Sequence, residues 1–479
     1  MSNSDVPAPE DVRLDQIRAA PTSRTEERLD ADDRLKPEFV AEVMDRVQAG
    51  DPEGARLLVE PLHPADMADL FELLDRDQRR ALAASVTDLL DGDVLAEMND
   101  WVRDDLLDEL EAHEVAALAE QLDTDDAVAL IEDLEEEDQR AVLRALDPDD
   151  RAAIEEALSF PEETAGRLMR RDLIAVPEHW TVGQVIDYLR AGDDLTTDFW
   201  EIFAVDPNHR PVGTCMLAWI LRTPRNIAIS DVMQREQTLI PVDMDQEEVA
   251  LRFQKYALIS AAVVDESGRL VGMITVDDIV HIIQEEASED TLLLSGAGEG
   301  DINQPVRDSY KARVRWLVAN LATALVASTI IAFFGAAIEE MVALAVLMPI
   351  VASIGGNAGT QTMAVAVRAL AMNQLTRSNT WRTIGREIKV AVLNGVTIAV
   401  LLGIGAALVF SNPRLGLVIA AAMLINILVA GLSGVAVPVL LERLRQDPAV
   451  SSSVFVTMIT DSMGFFVFLG LAVAAGLAG

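Results

Sequence analysis

Cysteine is almost absent from this 479-residue sequence, in which Cys215 stands alone. A single thiol excludes an intramolecular disulfide framework and a cysteine-rich zinc site. Basic residues are scarce as well: 38 Lys and Arg face 79 Asp and Glu, a formal net charge of −41. A surface with that surplus repels nucleic acid phosphates, so no nucleic acid partner is expected. The first 30 residues hold no apolar run of the kind a cleavable signal peptide needs. The N-terminal part is therefore expected to stay in the cytoplasm. The charge is unevenly spread. Residues 311–479 carry 11 Lys or Arg and 6 Asp or Glu, whereas residues 1–310 carry 27 and 73. A very acidic part and an apolar part share one chain.

The apolar part reads as five stretches, 314–334, 341–367, 390–410, 415–441 and 450–478. Each is long enough for ~30 Å of hydrocarbon at about 1.5 Å per residue. Lys and Arg alternate between the short loops. Arg307, Lys311, Arg313 and Arg315 precede the first stretch, and the next loop has Glu339 and Glu340 but no base. The third segment has Arg368, Arg377, Arg382, Arg386 and Lys389, the fourth only Arg414, and the fifth Arg443 and Arg445. By the positive-inside rule the N-terminus lies inside and the C-terminus outside. Trp316 and Trp381 sit where aromatic anchors belong.

Asp461 lies near the middle of the last stretch, where a charge costs at least ~2.5–3.5 kcal/mol. No deep Lys or Arg is available to pair with it. A protonated Asp bonded to a neighbouring helix is the plain structural reading; a cation or proton site accounts for more. The second stretch carries the run Pro349–Thr362, PIVASIGGNAGTQT. Its small residues allow close helix approach. Asn357, Gln361 and Thr362, with Asn394 and Asn426 in later stretches, add polar groups that lipid does not accept. One carboxylate per chain is a thin cation site. Closed dimers are the commonest homo-oligomers, so a pore lined by two copies of Asp461 is the economical arrangement. The stretches hold no His or Cys, which argues against zinc or copper. Carboxylate and carbonyl oxygens, the latter at Thr457, suit a hard, hydrated divalent cation. Residue type does not separate Mg2+ from Mn2+, Co2+ or Ca2+.

In the acidic part, residues 1–36 read as a disordered tail. An apolar residue then recurs every 12 positions, at Leu62, Leu74, Val86, Met98, Leu110, Leu122, Leu134, Leu146 and Leu158. The next positions are His63, Asp75, Thr87, Asn99, Glu111, Asp123, Glu135, Asp147 and Ser159, six of them preferred N-cap types. This predicts a solenoid of two-turn helices. After Phe160–Pro161 a duplication appears. Leu173–Arg190 (LIAVPEHWTVGQVIDYLR) aligns with Leu239–Lys255 (LIPVDMDQEEVALRFQK) at an offset of 66. Phe203–Gly213 (FAVDPNHRPVG) aligns with Ala262–Gly272 (AVVDESGRLVG) at an offset of 59, leaving seven residues for the loop near Ala191. Each half predicts strand, helix, hairpin and helix. No nucleophile–base pair suggests an enzyme.

The duplicated unit resembles a pair of cystathionine-β-synthase-type (CBS) regulatory motifs. The order of parts is similar to the MgtE family of magnesium transporters. Ala165–Met169 (AGRLM), the run from Pro349 to Gln361, and Asp447–Asp461 (DPAVSSSVFVTMITD) carry the likeness. It implies a multidomain chain: an all-α superhelical N domain over 37–160, α/β tandem CBS domains over 161–276, a linking plug helix over 277–303 and a five-helix transmembrane domain over 304–479. It implies a homodimeric Mg2+ channel of the inner (plasma) membrane, closed when cytoplasmic Mg2+ binds between the acidic domains, with Mn2+ or Co2+ as further cargo. Helical spacing stacks Asp278, Glu286, Glu289 and Asp290, with Glu285 alongside, on the linking helix. An ordinary solvated acidic face is the commoner explanation of such a stack; the likeness makes it a metal-sensing plug facing Asp447. It likewise implies Mg2+ bridges from Asp123 and Asp126 to Asp278, and a regulatory role for Glu247. His281 and Ala257 depart from the family pattern, where acidic residues are common. Gly272–Asp278 (GMITVDD), with Thr275 and Asp278, resembles a nucleotide-ribose motif of CBS modules, so ATP or AMP is a candidate ligand. A proton-coupled divalent cation transporter and a membrane-anchored regulatory scaffold are the competing readings.

Overall fold

The computed structural model describes residues 28–32, 34–108, 110–132, 134–191, 199–295, 303–376 and 378–477, without the side chains of Asp290, Ser295, Val450 and Ser451. Of the expected tail, residues 1–27 lie outside the described residues. Its end is structured: Leu29 bridges to Leu35, and Leu35 is buried in the domain core. The chain divides into two units, Met1–Val280 and His281–Gly479.

The first unit begins with α1 (Pro37–Gln48), α2 (Pro52–Val59), α3 (Pro64–Glu72), α4 (Arg76–Ser85), α5 (Gly92–Ala96), α6 (Asp100–Leu107), α7 (Ala112–Ala119), α8 (Thr124–Glu132), α9 (Glu136–Ala145) and α10 (Pro148–Ala157). The 12-residue spacing marks the start of seven of these helices. His63, Asp75, Asn99, Glu111, Asp123, Glu135 and Asp147 each stand immediately before a helix. Asp75 and Gln78 form a reciprocal capping box, as do Glu111 and Glu114. Thr87 and Ser159 depart from the pattern. Thr87 opens a single 3-10 turn, the next helix is capped by Asp91 instead, and Ser159 lies in the turn after α10. All nine periodic apolar residues enter one core, four fully and five partly buried. Burying a Leu such as Leu82 contributes roughly 1.5–3 kcal/mol.

Next come α11 (Ala165–Leu168), β1 (Ala175–Pro177), α12 (Val182–Ala191), β2 (Glu201–Val205), β3 (Pro211–Met216), α13 (Leu217–Arg222) and α14 (Ile229–Val232). The second copy is β4 (Leu239–Pro241), α15 (Gln246–Tyr256), β5 (Ser260–Val264) and β6 (Leu270–Thr275), running into α16 (Val276–Ser295). Each copy is a three-stranded sheet, parallel then antiparallel, ordered β1-β2-β3 and β4-β5-β6. The hairpins repeat at the expected 59, including a register shift at Ala204/Val205 and at Val263/Val264. The first strand does not keep the expected 66. Ala175 pairs with Phe203 and Leu239 with Ala262, which places β1 and β4 at an offset of 64. The matching residues are Pro177 and Pro241, and the extra loop is five residues long.

The second unit holds five helices among the described residues long and apolar enough to cross a membrane: α17 (Val306–Phe333), α19 (Val342–Ala371), α20 (Thr380–Val409), α21 (Pro413–Arg443) and α22 (Pro448–Ala474). A short α18 (Gly335–Glu340) fills the loop after the first. α21 is central and packs on α19, α20 and α22. Small residues allow this. On α20, Ala391, Gly395, Ala399 and Gly403 recur every fourth position. A Cβ on Gly416 of α21 would meet the Gly403 carbonyl at 2.5 Å. α20 starts ten residues ahead of the expected stretch, because Thr380 to Lys389 continue the helix at its charged N-terminal end. Glu387, 8% exposed, thus lies inside the helix, ahead of the stretch that hydropathy marks.

Candidate cation sites

Asp461 is half-buried on α22. The turn before it is tightly held. Thr460 is fully buried, and its hydroxyl donates to the Thr457 carbonyl at 3.0 Å, the carbonyl singled out as an acceptor. Gly359 of α19 faces this turn: a Cβ there would lie 2.7 Å from Val456 and 3.3 Å from Thr460. One turn along, Asn426 of α21 is wholly buried and donates through Nδ2 to the Val351 carbonyl at 3.1 Å. Gly355 and Gly464 leave the space for that amide, since a Cβ on either would collide with Nδ2. The Asn426 Oδ1 and the Ser462 hydroxyl are buried without a hydrogen-bond partner. On the other face of α19, Asn357 and Gln361 are exposed, and Gly356 has open space beside it. The residues expected to line a polar path thus separate: Asn426 is a buried pin between spans, Asn357 and Gln361 stand on an uncovered face of α19, Thr362 is half-buried against Gly434, and Asn394 is exposed on α20.

Asp447 is the N-cap of α22, its Oδ1 accepting from the Ala449 amide at 2.7 Å. On α16, Glu286 and Glu289 are half-buried, and Glu285 and His281 are exposed. The Asp290 side chain lies outside the described residues. At the far end of the same helix Leu293 and Leu294 pack against Met363 and Val367 of α19 and Ala449 and Val456 of α22.

In the first unit, Asp123 and Asp278 do converge, on an arginine. Arg170 Nη1 pairs with Asp123, Nε with Asp125 at 3.2 Å, and Nη2 with Asp277 at 3.1 Å and with Asp278. Asp278 also accepts from the Thr275 hydroxyl at 2.6 Å and the Thr275 amide at 3.2 Å. Burial, joined by the charge of Asp278, pushes Asp125 well above the usual carboxylate range despite Arg170. Asp126 is raised to about 6, first by burial, with Asp278 and Asp123 adding to it against the pull of Arg170. Burial opposes the charge on Arg170, but the surrounding carboxylates outweigh it and hold the guanidinium more firmly protonated. Glu247 lies in the first turn of α15, its amide donating to Asp245 at 3.0 Å. Among the described residues no group of three or more His, Cys, Asp or Glu is arranged to hold a metal ion. Sequence reading missed Arg170 and Asp125. Three arginines within Arg167–Arg171 of so acidic a segment were the available signal.

A cleft of about 600 Å3 is lined by Trp200, Glu201, Met216, Tyr256, Ala257 and Ser260, from both CBS copies. Ala257 ends α15 in the left-handed region, at φ 51°. Thr275 and Asp278, the expected ribose-binding pair, are not in its lining; they bond to each other instead.

The MgtE divalent cation transporter profile matches residues 348–471, that of the MgtE intracellular N domain residues 62–163, and that of the CBS domain residues 229–285. The magnesium transporter MgtE of Thermus thermophilus is 34% identical over 318 residues, covering 65% of this chain and 70% of that protein. The chain belongs to the MgtE family. The MgtE magnesium transporter of Bacillus subtilis is 29% identical over 319 residues, 66% of this chain and 70% of its own length. Among solved structures, the cytosolic domain of the Mg2+ channel MgtE in complex with ATP shares 28% identity at a TM-score of 0.46, over 51% of this chain and 99% of that one. MgtE proteins are magnesium transporters, not enzymes. The helical N domain, the CBS repeats and the multi-pass membrane part agree with that membership.

Proposed function

We propose that the chain forms a homodimeric Mg2+ channel of the inner membrane, with the acidic domains in the cytoplasm and the C-terminus outside. Asp461 from each copy lines the pore. The observation that carries this reading is the uncovered polar face of α19. Asn357 and Gln361 stand exposed on a single copy, where hydrocarbon would leave their amides unsatisfied. A second copy turns that face into the wall of a hydrated path. A hydrated Mg2+ ion needs oxygen acceptors rather than tight dehydration, and the Asp461 carboxylates supply them with charge.

Cytoplasmic Mg2+ closes the pore through carboxylates of the acidic domains and α16, with Glu286, Glu289 and Asp290 on the plug, Asp447 at the mouth, and Asp123, Asp126, Asp278 and Glu247 in the sensor. The packing of Leu293 and Leu294 on α19 and α22 supports a direct mechanical link from α16 to the spans. Closure requires Mg2+ to bind the compact state more tightly than the open one. Mg2+ flux into vesicles, with internal Mg2+ varied, tests the reading. Flux should fall as internal Mg2+ rises and should be lost in Asp461→Ala. Uptake that follows an imposed pH gradient instead identifies a proton-coupled transporter. The cleft between the CBS copies supports nucleotide binding as an added ligand, with Trp200 and Tyr256 as stacking surfaces. Titration with labelled ATP tests it.

A further inference from the structure

The short segment Ala165–Arg171 crosses between the helical domain and the CBS pair, and all three of its arginines reach helical-domain carboxylates. Arg167 Nε lies 3.4 Å from Glu132, and Arg171 Nη1 lies 2.9 Å from Glu156. Between them Arg170 pairs with Asp123 and Asp125 on one side and with Asp277 and Asp278 on the other, its side chain only 9% exposed. The backbone fixes where that charge sits. Arg170 exchanges both main-chain hydrogen bonds with Met273 of β6, at 2.8 and 2.9 Å. The guanidinium is thus anchored on the CBS sheet while facing the start of α8.

The regulatory reading above asks Mg2+ to join Asp123 to Asp278; the following rests on that reading for the channel and the α16 plug and departs from it at this junction. We propose that Arg170, flanked by Arg167 and Arg171, makes this junction in place of a divalent ion. The helical domain then stays seated on the CBS pair at low Mg2+, and control by Mg2+ passes to the carboxylates of α16. The chemistry suits the exchange. A guanidinium keeps its charge at any physiological pH, and its planar fork serves several carboxylates at once. Mg2+ needs near-octahedral oxygens at about 2.0–2.1 Å, whereas here the oxygens are spread around the edges of the guanidinium. A tethered cation also cannot be diluted away.

The test uses the full-length chain in lipid vesicles, with spin labels at exposed sites on the two domains, introduced by Glu114→Cys and Asn208→Cys. Distances are measured in a chelator and in saturating Mg2+. The same narrow distance is expected in both. Adding Arg170→Gln should broaden the distribution in chelator, and Mg2+ should narrow it again as the freed carboxylates take up the ion. A background distance that is broad in chelator and narrow in Mg2+ overturns the proposal, as does an Arg170→Gln distribution unchanged in chelator. Should Arg170→Gln not fold, the background comparison alone decides. Mg2+ flux is recorded on the same vesicles. Loss of flux there counts against the channel reading, whereas closure by internal Mg2+ alongside a Mg2+-dependent distance counts against the arginine junction alone.

Discussion

Asn426 and Val351 lie 75 residues apart, yet the side-chain amide of the first donates to the main-chain carbonyl of the second at 3.1 Å. The bond fastens α21 to α19 at the level where α22 passes Gly464. Asp461 is one turn away on that helix, so the amide fixes the height at which the carboxylate is presented.

A methyl group at this crossing is expected to be costly. Gly464→Ala places a Cβ 2.7 Å from the Asn426 amide nitrogen. Overpacking of this kind costs about 1–3 kcal/mol, which a thermal melt in detergent will register as a lower midpoint. Combining it with Asn426→Ala should cost less than the sum of the two, by on the order of 0.5–3 kcal/mol. Strict additivity would show that the amide and the glycine do not share the site.

Asp461→Asn keeps the size of the side chain and removes its charge. If the carboxylate attracts Mg2+ in the pore, flux should drop at least tenfold, corresponding to about 1.4 kcal/mol, or Mg2+ should lose its advantage over Co2+ and Mn2+. Unchanged flux and unchanged ion preference would remove Asp461 from the pathway.

Asp447 offers two separable roles, a helix cap and a negative charge near the end of α22. Asp447→Ser retains a capping oxygen, and Asp447→Ala does not. The alanine variant should lose about 1 kcal/mol of stability, the serine variant much less. If the charge gathers cations at the mouth, both should reduce uptake equally, most clearly at low ionic strength. Uptake that tracks stability alone would leave only the cap.

Asp126 gives the helical domain a pH signature. Its carboxyl is raised from 3.8 to about 6 in the folded state, chiefly by burial. The folded state therefore binds the extra proton more tightly than the unfolded one. Stability from this group is full below pH 3.8 and is lost as pH rises through 6. Asp126→Asn should accordingly melt higher than the parent above pH 6, with the gap closing as the pH falls toward 3.8. A gap independent of pH would show that the carboxyl titrates normally.

The helical domain was legible because its signals are local. An apolar residue with a cap type beside it, recurring every 12 positions, marks seven of the short helices without help from elsewhere, and of its nine occurrences only Thr87 and Ser159 do not precede an α-helix. The duplication was found, but its first strand was placed two residues off. Leu173 and Leu239 look alike in sequence, whereas pairing to the neighbouring strand puts Pro177 opposite Pro241 in the repeat. The spans are located by hydropathy, and that scale starts α20 too late because Arg382, Arg386, Glu387 and Lys389 lower it over helical residues. For the arginine junction the sequence offers only the cluster Arg167, Arg170 and Arg171, without its partners. Asp123 and Asp278 are 155 positions apart in the chain, and nothing local says that a guanidinium at position 170 will be held between them by a strand pairing with Met273.

Cys215 sits fully buried in β3, and burial, aided by Glu201, pushes its thiol up to about 11. Maleimides attack an accessible thiolate, so they will pass the native protein by. A single cysteine placed in each loop between spans becomes the one reactive handle on the molecule. Impermeant reagents can then map, loop by loop and from either side of the vesicle, which ends of the five helices face the lumen and which the bath.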